Sequence, residues 1–447
     1  MIRDNAGKDL HELLSRWYAE HGDAESLEQA EQLGREVGRI ASQVVAQEGV
    51  NDSIARSEEP GSIDCGCGAQ ARMVNRRERT LISDCGELTA KRRYYHCAEC
   101  NTGWAPWDRQ QGLTRRQFTP RTKAMVAELA ARMPYSETVE VLEGLLGLKI
   151  EESSAELIVN EVGARVRAHQ QEQMAQALTG ELEVEIAPRR LYLGVDGAHA
   201  HIDRAWHEVK HVVAQIEGEH RWYDAAREPA EQFGARVYAL AAGLGVEDAG
   251  EVVMLGDGAE WIWNLTAMHF PDAVQILDYY HACEYIHEVA NAHYGEGSKQ
   301  GRRWADTHKH RLLEEGPEPL LRSLKAMRPK TAEAREVIRR TRGYVRRHRE
   351  WMCYPKFRAR GLQIGSGPVE AACKVITGQR LKRSGMRWSN AGADHVLALR
   401  CLVKSGQHQT ISHYARSALP LTILREAVHY YLSTLSQGVE IQCTHQL

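Results

Sequence analysis

A chain of 447 residues with 43% hydrophobic and 26% charged residues has the composition of a globular protein of two to four domains. Its net charge of −3 excludes a uniformly basic DNA-coating protein, and no stretch approaches the about 20 apolar residues of a membrane-spanning helix. The charged N-terminal stretch lacks the apolar segment of a secretory signal, so we expect a cytoplasmic protein whose ten cysteines are reduced.

Residues 1–60 are predicted to form a helical arm. The string SLEQAEQLGREVGRIASQVVAQEG carries apolar residues at three- and four-residue spacing and is acidic overall. Such a helix packs on its own chain or on a second copy, and its acidic face is a poor match for DNA. We expect a homo-oligomer, with a dimer as the first expectation.

Residues 61–110 are predicted to form a zinc ribbon. Two close cysteine pairs flank a segment that alternates like a β-hairpin, with CGE as its turn. Zinc takes four thiolates from two such knuckles, so the expected ligands are Cys65, Cys67, Cys97 and Cys100. The first pair has the tight spacing C-x-C, which leaves open that Cys85 or His96 replaces one ligand; free thiols are the alternative to any metal. Several cations here could contact DNA phosphates: Arg76, Arg77, Arg79, Lys91, Arg92 and Arg93.

Residues 111–185 are predicted to be helical and to take part in DNA binding. Ser153 and Glu156 have the spacing of a capping box before an apolar run. Two short helices separated by a glycine-containing break are compatible with a helix-turn-helix and equally with an ordinary helical hairpin.

Residues 186–295 change to strand-like periodicity, and the pattern predicts the order β-β-β-α-β-α-β-α. Three apolar runs end in an aspartate: LYLGVD at Asp196, VVMLGD at Asp257 and VQILD at Asp278. Each aspartate on its own could cap the next helix. The repeated Asp-Gly at the first two favours a ligand site, where glycine would leave room for the ligand.

Two carboxylates on neighbouring strands repel each other, and a divalent cation relieves that repulsion. Mg²⁺ (or Mn²⁺) prefers oxygen ligands and substrate phosphates. Glu370 follows the turn GSGP near the start of a helix and supplies a third acid. Two aspartates and a glutamate could hold two ions about 3.5–4 Å apart.

Residues 296–361 are predicted to be a basic, all-helical segment in which Lys and Arg outnumber Asp and Glu more than twofold. Residues 362–405 would complete the sheet domain, and residues 406–447 would form a helical tail. The string RLKRSGMRW adds a second basic region, for which we predict DNA contacts by Arg380, Lys382, Arg383, Arg387 and Trp388. The tryptophan would stack on an unpaired base or pack in the core.

The order of elements resembles the RNase H-like core of DDE transposases. The strings LGDGAEWIW, ILDYYHACEYI, IGSGPVEAACK and RLKRSGMRWS are similar to those of bacterial insertion-sequence transposases of the ISKra group, which are distant relatives of Mutator-type enzymes. The resemblance covers about residues 60–405. It implies an α/β fold: an RNase H-like mixed sheet with an all-α insertion, plus the zinc ribbon and N-terminal helices.

The resemblance also implies site residues and an activity. Asp196, Asp257 and Glu370 would be the catalytic, metal-binding triad, with Asp278 as a rival for the second acid. Otherwise Asp278 and His281 would support the site or the DNA without binding the metal. The expected function is cleavage and strand transfer on double-stranded DNA, at the element's terminal repeats and the target. Two alternatives are a Mg²⁺-dependent nuclease without strand transfer and an inactive, DNA-binding regulator derived from a transposase.

Overall fold

The computed structural model describes residues 4–57, 60–182, 184 and 186–416, which form two compact units. The ribbon unit contains the described residues up to 122 together with 141–149. The core unit contains residues 123–140 and those from 150 onward. Each unit has its own buried core.

The ribbon unit begins with two helices, α1 (Asp4–His21) and α2 (Leu27–Arg56), so the helical prediction for the arm is confirmed. The second helix is capped by Ser26, whose side chain accepts a hydrogen bond from the backbone of Gln29. The C-terminal half of α2 packs its apolar face on Leu88 and Trp107.

A four-stranded antiparallel sheet follows, in the order β1-β2-β3-β4. Its strands are β1 (Ser62–Asp64), β2 (Gln70–Ser83), β3 (Gly86–Cys97) and β4 (Thr102–Trp104), and a short helix α3 (Pro106–Gln110) succeeds them. The predicted hairpin is the long β2–β3 ribbon. Its turn requires Gly86, whose φ of +114° disfavours any other residue.

Three helices link the sheets: α4 (Pro120–Arg132), α5 (Tyr135–Leu146) and α6 (Glu152–Thr179). The capping-box prediction is wrong, because the helix starts one residue before Ser153 and Glu151 occupies the cap position. With 28 residues and a row of fully buried positions, α6 is a structural helix of the core unit rather than a short recognition helix.

The core unit contains a mixed five-stranded sheet in the order β7-β6-β5-β8-β9. The first three strands pair antiparallel and the last two add on parallel to β5. The strands are β5 (Leu191–Ile202), β6 (Ala205–Ile216), β7 (Arg221–Ala226), β8 (Val252–Gly256) and β9 (Val274–Leu277). Runs such as VVMLG and VQIL are apolar because helices cover both faces of a parallel sheet.

The helices α7 (Ala230–Ala242) and α8 (Glu260–His269) lie between strands of this sheet, and α9 (Tyr279–Tyr294) follows its last strand. The predicted order β-β-β-α-β-α-β-α is therefore confirmed. The predicted all-helical segment is confirmed as well, with α10 (Lys299–Glu315), α11 (Glu318–Ala326), α12 (Ala332–Arg347) and α13 (Tyr354–Ala359). We call α10–α13 the helical insertion; its apolar faces share one core with the sheet.

The chain then returns to the sheet through α14 (Gly367–Ala372), a π-helical segment (Cys373–Gly378) and α15 (Gln379–Leu381). Two further helices, α16 (Asn390–Lys404) and α17 (Ile411–Arg416), complete the described chain. The rest of the predicted tail, residues 417–447, lies outside the described residues. Among the helices described, none is long and apolar enough to cross a bilayer.

Candidate metal and nucleic-acid sites

The four predicted cysteines of the ribbon unit converge. The sulfurs of Cys65, Cys67, Cys97 and Cys100 all lie within 4.8 Å of one another. The Cys65 and Cys100 sulfurs are 3.5 Å apart and those of Cys67 and Cys97 are 3.6 Å apart. Tetrahedral zinc with bonds of about 2.3 Å requires sulfurs about 3.8 Å apart. The cluster could therefore hold a structural metal such as zinc.

Local turns and protonation fit this assignment. Gly68, with a φ of +88°, closes the first knuckle by donating its amide to the carbonyl of Cys65. Hydrogen bonds from Thr102 and Cys65 lower the pKa of Cys100 to about 6, although burial opposes them. The Ala69 backbone amide lowers the pKa of Cys67, but hydrogen bonds with Cys65 and Cys97 raise it overall, so a bound metal would have to displace the protons that these thiols share.

The two alternative ligands stay outside the cluster. Cys85 lies in the β2–β3 turn, and the ring of His96 hydrogen-bonds the side chain of Asn101 at 3.2 Å. Two of the six cations proposed for phosphate contact are also structural. Arg79 and Arg92 are nearly buried and both bind the carboxylate of Asp108 at 2.9 Å, so the prediction is wrong for them.

In the core unit, the sheet delivers Asp196 and Asp257 to one edge. Gly194 of β5 pairs with Leu255 of the parallel neighbour β8, so each aspartate lies two residues beyond a paired position. The carboxyl ends of parallel strands are where ligands bind in α/β proteins. The first helix of the return segment, α14, packs over this edge: a methyl group added at Gly194 would lie 3.3 Å from Val369, the neighbour of Glu370.

The three acids share one electrostatic environment. Burial raises the pKa of Asp196; the Gly197 amide lowers it, and the negative charges of Asp257 and Glu370 raise it further. Within the described part of the chain, the cysteine cluster is the one set of metal-ligating side chains whose atoms converge within 4.8 Å. The acids are thus a looser group. Hydrogen bonds from the Gly197 amide and the Cys373 thiol offset part of the repulsion by lowering the pKa of Asp196, and a divalent cation would stabilise the three negative charges further.

Asp278 has a different task from Asp257. It is 1% exposed, and its carboxylate accepts hydrogen bonds from the backbone of Tyr280 at 2.6 Å and from the hydroxyl of Ser366. Both oxygens are thereby occupied in joining α9 to the turn that leads to Glu370. Asp257 is half-buried and uses one oxygen to accept from the Ala259 amide at 2.9 Å.

The glycines after the aspartates accommodate protein side chains rather than a ligand. A Cβ at Gly197 would lie 2.5 Å from the carboxylate of Glu208, and one at Gly258 would lie 2.6 Å from the hydroxyl of Tyr344. The interpretation that these glycines make room for a ligand is therefore wrong.

A chain of hydrogen-bonding side chains behind Asp196 was not predicted. The Cys373 sulfur is 3.4 Å from the carboxylate of Asp196 and 3.5 Å from the imidazole of His211, whose other nitrogen is 2.8 Å from the hydroxyl of Thr377. Cys373 and Thr377 lie in the π-helical segment, a distortion that is frequent at functional sites. No sequence signal marks such a segment; the nearest clue was the cysteine three residues after Glu370.

The predicted DNA contacts divide into buried and exposed residues. Arg380 is fully buried, donates to the carbonyl of Ala130 at 2.9 Å and lies 4.7 Å from the ring of Trp388, which is itself 7% exposed. Neither can reach DNA from there, so the prediction is wrong for Arg380, and Trp388 takes its packing alternative. Arg383 is exposed but paired with Glu137. Lys382 and Arg387 are exposed.

The second predicted supporting residue, His281, is partly exposed. Its ring pairs with Glu284 at 3.0 Å and stands edge-on to the rings of Tyr285 and Tyr344. It therefore reaches the neighbourhood of Asp257 only through the tyrosine.

Comparison with known proteins yields a family but no activity. A family model described as "Uncharacterised protein family (UPF0236)" matches residues 69–416, which include the three acids and the second cysteine pair, Cys97 and Cys100. No curated protein matches the chain.

Proposed function

We infer that this chain, which belongs to the UPF0236 family, is a DDE-type DNA transposase of the RNase H-like class. The carrying observation is the placement of Asp196 and Asp257, each two residues beyond the paired residues Gly194 and Leu255 of the adjacent parallel strands β5 and β8, with Glu370 close enough for its charge to act on Asp196. The sheet order β7-β6-β5-β8-β9 and the helical insertion before Glu370 are what the proposed class requires.

The three carboxylates would hold the catalytic Mg²⁺ or Mn²⁺. When bound, the metal supplies an activated water and neutralises charge on the phosphate. In the first step, water attacks the phosphorus and the bond to the 3′-oxygen breaks, which frees a 3′-hydroxyl. In the second step, that hydroxyl attacks a phosphorus of target DNA and displaces the target's own 3′-oxygen. No covalent bond to the chain is needed.

The chain's own residues orient these groups. Asp278 and Ser366 fix the turn before Glu370, and the thiol of Cys373 faces the carboxylate oxygen of Asp196. Asp257 is held by the amide of Ala259. Oriented carboxylates limit the reorganisation that accompanies charge development at the phosphate.

Exposed cations support DNA as the substrate. The outer face of α12 carries Arg335, Arg339, Arg342 and Arg346 at spacings of four, three and four residues, and all are exposed. Only Arg339 among them has an ion pair in the described chain, with Glu336. A stripe of this kind matches a row of phosphates, and Lys382 adds a cation near Cys373 and Asp196.

The test uses DNA that carries the ends of the element encoding the chain, with supercoiled plasmid as target. With Mg²⁺, the wild-type chain should give nicked ends and joined products. Asp196→Asn, Asp257→Asn and Glu370→Gln should each lower the cleavage rate and the joining rate by more than about 100-fold. About 100-fold is the largest loss expected when only a residue that hydrogen-bonds to a metal ligand is removed, so a greater loss indicates that the ligand itself is gone.

The matched control is Glu260→Gln, because this exposed acid lies three residues beyond Asp257. It should leave both rates unchanged. Equal losses in Glu260→Gln and Asp257→Asn would refute the assignment, and cleavage without joining would identify the nuclease alternative.

A further inference from the structure

The turn that carries Asp257 is clamped by a tyrosine from the helical insertion. The hydroxyl of Tyr344, in α12, donates to the backbone carbonyl of Asp257 at 2.7 Å. Asp257 directly follows β8, and α8, β9 and α9 separate it in the sequence from the helical insertion that contains Tyr344. This hydrogen bond therefore connects the insertion directly to the end of β8.

Gly258 makes this contact possible. Its φ of +98° turns the chain sharply after Asp257, and the space where a side chain would project is filled by Tyr344. The nearest tyrosine atoms would lie 2.6 and 3.0 Å from an added Cβ. The backbone of the turn and the tyrosine therefore fit each other, and neither can shift alone.

The ring of Tyr344 is itself held on two sides. It stacks on Tyr285 of α9 with centroids 4.1 Å apart, and His348 of the next helical turn packs against it at 4.4 Å. His348 in turn stacks on Trp351 at 5.4 Å. The hydroxyl is consequently fixed in place by packed aromatic rings from two helices.

We propose that Tyr344 is a positioning residue for the second catalytic acid, and that the helical insertion sets the place of Asp257 through it. The inference rests on the proposed function. The hydrogen bond from Tyr344 fixes the backbone of Asp257. The carboxylate of Asp257 can then move only by rotation about its side-chain bonds. Because the exposed arginine stripe lies on the same helix as Tyr344, contact with DNA and placement of the acid depend on one element.

The experiment compares Tyr344→Phe with the wild-type full-length chain. This variant keeps the stacked ring and removes only the donor. Mn²⁺ affinity is measured by calorimetry without DNA, and DNA affinity and the cleavage rate are measured separately. We expect Mn²⁺ to bind about fivefold more weakly, the effect of one hydrogen bond of ordinary strength, and kcat to fall while DNA affinity stays within about twofold.

The matched control is Tyr354→Phe, also in the insertion. Tyr354 is fully buried, and its hydroxyl has no hydrogen-bond partner among the described residues. Tyr354→Phe therefore also removes a tyrosine hydroxyl, but it removes no hydrogen bond to Asp257. Thermal unfolding of both variants shows whether weaker Mn²⁺ binding comes from displacement of Asp257 or from a less stable fold. A wild-type Mn²⁺ affinity in Tyr344→Phe would overturn the inference, as would an equal loss in Tyr354→Phe.

Asp257→Asn separates this result from failure of the proposed function. If Asp257→Asn loses Mn²⁺ while Tyr344→Phe keeps it, only the positioning role is wrong. If Asp257→Asn binds Mn²⁺ as the wild type does, the carboxylate is no ligand and both proposals fall.

Discussion

Mild acid should destabilise the core unit because His211 is buried as a neutral ring. His211 lies on β6 and is fully buried. One ring nitrogen is hydrogen-bonded to the Thr377 hydroxyl, and the other faces the Cys373 sulfur. Burial lowers the pKa of His211 to about 4; backbone hydrogen bonds partly oppose this, and the charge of Lys382 adds to it.

The direction follows from proton counting. An unfolded histidine takes up a proton below about pH 6.5, whereas folded His211 does so only near pH 4. Between these values the unfolded chain binds more protons, so stability falls as the pH is lowered. The gap between about 6.5 and about 4, at about 1.4 kcal/mol per pH unit, amounts to about 3 kcal/mol.

Urea unfolding followed by tryptophan fluorescence measures this loss, since seven of the ten tryptophans belong to the core unit. His211→Gln should retain a polar group toward Thr377 and lose less stability than the wild type between pH 7 and 4.5. Part of the slope will persist, because burial also lowers the pKa of His348 to about 4. Exposed His199 on β5 supplies the control His199→Gln. An unchanged slope in His211→Gln would refute the buried neutral ring.

Three further outcomes are expected. Cys97→Ser should lose bound zinc and destabilise the ribbon unit, while Cys353→Ser, outside the cluster, should keep a full equivalent; metal analysis of purified protein decides this. Lys382→Ala should weaken DNA binding and lower the slope of log affinity against log salt by about one, whereas Arg380→Ala should chiefly lower the unfolding temperature. Asp196→Asn should raise the unfolding temperature in Mg²⁺-free buffer at pH 7, because burial and neighbouring charges oppose its ionisation; a lower temperature would contradict that electrostatic account.

The order of the helices and strands and the positions of the candidate ligands could be predicted from short sequence patterns. Strand and helix periods are properties of short windows, so β5–β9 and the positions of the acids could be read directly, as could the two cysteine pairs, although β5 continues six residues beyond Asp196. The proximity of Asp196 to Asp257 followed from the parallel pairing of their strands, in which both acids lie just beyond the paired residues.

Partners distant in sequence could not be read in this way. A cation in a charged string is taken as exposed unless its partner is known, and Arg380 binds a carbonyl 250 residues away. Arg92 likewise meets Asp108 only when the sheet and α3 pack together. The π-helical segment and the contact of Tyr344 with the Asp257 carbonyl also arise from tertiary packing, for which no short window holds a signal.

The bonds at Asp278 have a consequence for how the family can diversify. The amide of Tyr279 donates to the carbonyl of Ile364 at 2.9 Å, and Ser366 binds Asp278, so the chain leaves and re-enters the sheet domain at one point. Insertions or deletions in the surface turns of the intervening segment, such as those near Gly297 and Gly316, change the length of a segment whose two ends are held together. Doubling that length raises the entropic cost of closing the segment by only about 0.6 kcal/mol. Natural selection can therefore lengthen or shorten this segment while the residues that hold its two ends together stay where they are.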